Sequence, residues 1–91
     1  MLLRWARSAR KHGVTRNASR HVIEHCGLRF RILAPPGNAD DRLLYLGDDD
    51  HGAPLEVIAV ALDQDEFLVI HAMPLRHKYR KQYQEAERWR V

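Results

Sequence analysis

The chain has a single cysteine and no long apolar run, and each shortage excludes a class of protein. Its one cysteine, Cys26, rules out an intramolecular disulfide framework. The main apolar stretch, around Leu55 to Leu62, falls far short of the about 20 residues that a membrane helix needs. Met1-Leu2-Leu3 is followed at once by Arg4, Arg7 and Arg10, so no apolar region of a signal peptide develops. There is no glycine-rich loop that would cradle a phosphate and no nucleophile elbow, which sets aside nucleotide-driven and serine-hydrolase chemistry. The expectation is a reduced, cytoplasmic protein with no membrane segment and no cofactor.

What remains is a short chain with ordinary globular composition. Its 91 residues allow one domain, and 45% hydrophobic with 30% charged residues is too apolar for a disordered chain. The net charge of +3 hides a strong segregation. Residues 1 to 31 carry eight Lys or Arg against Glu24 alone, residues 32 to 70 carry Arg42 against nine acids, and residues 71 to 91 carry six basic side chains against Glu85 and Glu87. Two basic ends therefore flank an acidic middle.

The hydrophobic spacing predicts an α+β domain of two N-terminal helices, a four-stranded, mainly antiparallel sheet and a C-terminal helix. Residues 2 to 12 hold good helix formers and stop at Gly13. Thr15 sits where an N-cap would, before a helix from about Arg16 to Cys26 with Ala18, Val22, Ile23 and Cys26 on one side. From Leu28 to Ile32 the period becomes alternating, with Arg29 and Arg31 on the polar face. A loop from Ala34 to Asp41, strands over Arg42 to Leu46, Leu55 to Leu62 and Glu66 to Ala72, and a turn at Gly47 to Gly52 complete a meander of hairpins. Beyond Pro74, the stripe Leu75, Tyr79, Tyr83, Ala86 and Trp89 predicts a helix packed on the sheet.

Two segments carry a resemblance to a known family. Lys11-His12-Gly13-Val14, followed by a short helix, resembles the signature near the start of BrnT-type toxins of bacterial type II toxin–antitoxin systems. The run from the last strand into Arg76, Tyr79, Arg80 and Tyr83 is similar to the end of the same family. The resemblance implies a RelE-like fold and a toxin that cleaves RNA, is neutralised by a cognate antitoxin of the BrnA type, and reaches operator DNA only through that antitoxin. Members open with a short strand bearing a Trp-Asp pair, whereas Trp5 here is followed by Ala6. Where many members have Ser-Ala-Arg at the end of the last strand, this chain has His71-Ala72-Met73-Pro74.

RNA cleavage without a metal needs a base for the 2′-hydroxyl proton, positive charge at the phosphate and an acid for the leaving oxygen. His71, at the end of the last strand and on the face it shares with Phe67 and Val69, suits a proton-transfer role, and equally an internal hydrogen bond. Arg76 and Arg80 suit phosphate, because guanidinium grips it through paired hydrogen bonds. With the resemblance, His71, Arg76, Arg80 and Tyr79 form the expected catalytic set, although Tyr79 and Tyr83 also belong to the packing stripe. Lys11, His12, Arg16, Arg20, Arg29, Arg31 and Tyr83 form the expected RNA-binding set. Lys11 and His12 serve equally well as cations at a helix C-terminus. His21 and His25 have a spacing used by metal sites but no evident fourth ligand, so no metal is expected. The competing expectation is a non-catalytic module whose basic face binds nucleic acid or an acidic protein.

Overall fold

The computed structural model describes residues 1–34, 36, 37 and 41–90. Positions 35 and 38–40 of the expected loop lie outside the described residues. Strand β1 (Leu2–Trp5) leads through a 3-10 turn (Arg7–Arg10) to helix α1 (Arg16–His25). Strands β2 (Arg29–Ile32), β3 (Arg42–Asp48), β4 (Pro54–Asp63) and β5 (Glu66–Pro74) follow, then a 3-10 turn (His77–Tyr79) and helix α2 (Arg80–Glu87). The sheet order is β1-β5-β4-β3-β2, with β1 parallel to β5 and every other pair antiparallel.

This corrects the expected RelE-like arrangement of two N-terminal helices and a four-stranded sheet. The segment expected as a first helix enters the sheet instead, where Leu2, Leu3, Arg4 and Trp5 align with Glu66, Phe67, Leu68 and Val69. The hydrogen bonds of a parallel edge strand and the burial of Leu3 outweigh a local helix preference that is weak over so few residues. The sheet is therefore mixed and five-stranded, and only the second expected N-terminal helix exists as an α-helix.

That helix starts as its sequence dictates: Thr15 caps it by accepting from the Ala18 N–H at 3.0 Å. Its buried face, Ala18, Ser19, Val22 and Ile23, packs on β3 and β4. Cross-strand partners share a face, so Tyr45, Val57 and Ala72 line this side of the sheet together with Ala59, Val69 and Leu3. Trp5 joins β1 to α1 by donating from Nε1 to Ser19 Oγ at 2.8 Å.

Leu44, Leu46 and Glu56 lie on the opposite face and are fully buried. α2 contacts β3, and only Ala86 of that helix is buried. Trp89 is 61% exposed, so the predicted stripe does not form one buried face. Other contacts hold the C-terminal segment: the Tyr83 hydroxyl donates to Asp48 Oδ1, and Arg90 reaches Asp48 Oδ2 and the Leu46 carbonyl. No described helix is long and apolar enough to cross a membrane.

Candidate functional site

The site forms where β4 and β5 meet the chain leaving the sheet. Pairing of Ala59 with Val69 but of Ile58 with His71 leaves Ile70 as an extra residue in β5. Side chains alternate between faces along a strand, so one extra residue inverts everything beyond it. His71 therefore shares a face with Ile58, opposite Val69, which corrects the expected placement beside Phe67 and Val69. The inversion puts His71 on the face of Glu56, whose own partner, Met73, lies two residues further along β5.

Glu56 is fully buried and its carboxylate is densely bonded. Oε1 accepts the backbone N–H of Arg76 at 2.8 Å. Oε2 accepts Nε and Nη2 of the same arginine at 2.9 and 2.6 Å. His71 Nε2 lies 2.9 Å from Oε2. Burial pushes the Glu56 carboxyl up, but the Arg76 side chain, the Arg76 backbone N–H and the His71 hydrogen bond together hold it below the ordinary carboxylate range. Glu56 is thus an ionised acceptor, so His71 donates to it from Nε2, and among the described residues His71 Nδ1 makes no hydrogen bond.

His12 completes the group. Its ring meets that of His71 edge to face, with centroids 6.0 Å apart. The 3-10 turn brings it there by running along the edge of β5, where the Ala6 N–H donates to the Val69 carbonyl and Ser8 Oγ to the Ile70 carbonyl. His12 and His71 are far apart in sequence, and no spacing links them. Glu56 is the residue that sequence reasoning missed, and its signal was a single carboxylate inside the apolar β4 stretch.

The other expected residues are dispersed. Tyr79 lies beside Arg76, whose Cζ is 5.6 Å from its ring centre. Arg80 is exposed at the start of α2 and lines, with His77, Lys78 and Lys81, a pocket of about 450 Å³ that does not include His71 or His12. Tyr83 is held by Asp48 and covered by Arg90, and burial first, then that hydrogen bond, push its hydroxyl above the ordinary value. Arg16 and Arg20 stack over Trp5 at 5.5 and 5.4 Å, and Lys11, next to His12 in the chain, is exposed. Arg29 and Arg31 lie on the edge strand β2, where Arg31 pairs with Asp41. His21 and His25 stack at 4.3 Å with each Nδ1 on a backbone carbonyl, and no group of three metal-ligating side chains converges among the described residues.

Compared with protein-family models, the chain matches none, and no curated protein matches it.

Proposed function

We propose that this chain is a small endoribonuclease of the kind represented by BrnT-type toxins. In this reading it cleaves mRNA in the cytoplasm, inhibits translation and is held inactive by a cognate antitoxin, through which alone it meets operator DNA. The observation that carries the reading is the pairing of His12 with His71, itself oriented by the buried Glu56–Arg76 pair. Two neighbouring imidazoles, with ring centres 6.0 Å apart, have the chemistry for both proton transfers that RNA cleavage requires. His71 Nδ1 takes the 2′-hydroxyl proton, the 2′-oxygen attacks phosphorus, and His12 gives a proton to the departing 5′-oxygen. The products are a 2′,3′-cyclic phosphate and a 5′-hydroxyl. Glu56 holds His71 in the required tautomer, as the carboxylate of a catalytic triad does. Arg76 presents Nη1, which makes no bond to Glu56, to the charge that develops on the phosphate. Lys11, Arg16 and Arg20 draw the RNA backbone towards His12.

A non-catalytic binding module is the second reading, and Arg76 favours it, because Glu56 already occupies two of its side-chain nitrogens. Induced expression separates the two. The ribonuclease reading expects growth arrest with fragmented total RNA, and a loss of cleavage of about 10²–10⁴-fold in His12→Ala and in His71→Ala. Folded wild-type protein that causes neither arrest nor fragmentation leaves the binding module standing.

A further inference from the structure

A pocket of about 440 Å³ adjoins the histidine pair and has His12 in its wall. It opens between the segment entering α1 and the β3–β4 turn, and its volume lies within the roughly 300–1,000 Å³ usual for small-molecule sites. Val14, Leu55 and Pro74 are among its apolar lining residues, and Asn17, Asp49 and Asp50 among its polar ones. The turn bearing Asp50 is fixed, because Asp49 Oδ1 accepts the backbone N–H groups of His51 and Ala53 at 2.8 and 2.9 Å. The Asp50 side chain is exposed and makes no hydrogen bond among the described residues, and the exposed His51 Nε2 lies 3.9 Å from its Oδ2.

We propose that this pocket seats the base of a nucleotide beside the cleaved phosphate and that Asp50 selects guanine. The inference rests on the ribonuclease reading and assigns its substrate preference. A flat base lies against Val14, Leu55 and Pro74, with its polar edge towards Asp50. Guanine alone among the four RNA bases offers two neighbouring N–H donors on its Watson–Crick edge, and one carboxylate accepts both. Adenine and cytosine offer one amino donor beside a ring nitrogen whose lone pair would face the second carboxylate oxygen. The single N–H of uracil lies between two carbonyls, which the carboxylate repels.

The test uses the purified full chain and single-stranded RNA oligonucleotides that differ at one position, carrying guanosine, inosine, adenosine, cytidine or uridine. The wild type should cleave next to guanosine about tenfold to a hundredfold faster than next to adenosine, cytidine or uridine. Inosine, which keeps N1–H and lacks the amino group, should fall between. Asp50→Asn, an exposed substitution, should lower cleavage at guanosine to the level of the other bases. Equal cleavage of all oligonucleotides by the wild type, or a preference for another base, overturns the guanine assignment and leaves the ribonuclease reading intact, while a guanosine preference that survives Asp50→Asn overturns the role given to Asp50. Cleavage of none removes both.

Discussion

At the scale of single residues, Glu56 organises the site. A fully buried carboxylate is tolerated only where its charge is matched, and here Arg76 matches it while His71 adds a hydrogen bond. Its carboxyl is held lower in the folded chain than in the unfolded one, so the folded state binds that proton more weakly. The stability it contributes is complete above the unfolded value of about 4.3 and is lost as the pH falls through the lower folded value. Glu56→Gln should therefore flatten the loss of stability below about pH 4.3, and should cost about 2–3 kcal/mol at pH 7. Urea titrations of both proteins across that range measure it. Equal slopes with acid and an unchanged midpoint at pH 7 would contradict the account. Neither Glu56 nor the side on which His71 stands was legible beforehand, for different reasons. A lone acid in an apolar run reads as an exposed position until its partners are known. The direction of His71 turns on Ile70, an extra residue that alternation cannot register.

At the scale of elements, local pattern marked most of the elements but not their arrangement. Thr15 and the spacing of Ala18, Val22 and Ile23 marked α1, and alternation or apolar runs marked β2 to β5 to within a few residues. β1 was not legible, because its four residues owe their conformation to β5, more than sixty positions away. The C-terminal segment misled in the same way: its aromatic stripe suggested packing, yet Trp89 remains outside and the segment is held through Asp48 and Arg90. A close backbone approach fixes that end of the chain. Gly27 has φ +82°, and a Cβ there would stand 2.7 Å from the Arg90 nitrogen and from the Trp89 carbonyl carbon. Gly27→Ala should destabilise the protein by about 1–3 kcal/mol through backbone strain and collision. Gly13→Ala, at φ +75° with nothing within 4 Å, should cost less. Denaturation midpoints compare the two, and equal losses would show that the contact with the C-terminal segment contributes nothing.

At the scale of the molecule, the segregated charges acquire a direction. The basic N-terminal block becomes the 3-10 turn and the outer face of α1, next to His12, while Asp65 and Glu66 are answered by the amino terminus and Arg4 across β1 and β5. Exposed Lys11 stands next to His12 in the chain, and the proposed handling of RNA would draw on it and on the other basic side chains of this block. The fold itself does not dictate this use, since function lies in the site it positions. The most direct test is cleavage of a defined RNA by the purified protein in excess chelator, with identification of the product ends. The account predicts 2′,3′-cyclic phosphate and 5′-hydroxyl ends, a bell-shaped dependence of the rate on pH, and loss of one limb of that bell in His12→Ala and the other in His71→Ala. Intact RNA in the presence of folded wild-type protein, or cleavage undiminished in both variants, would contradict it.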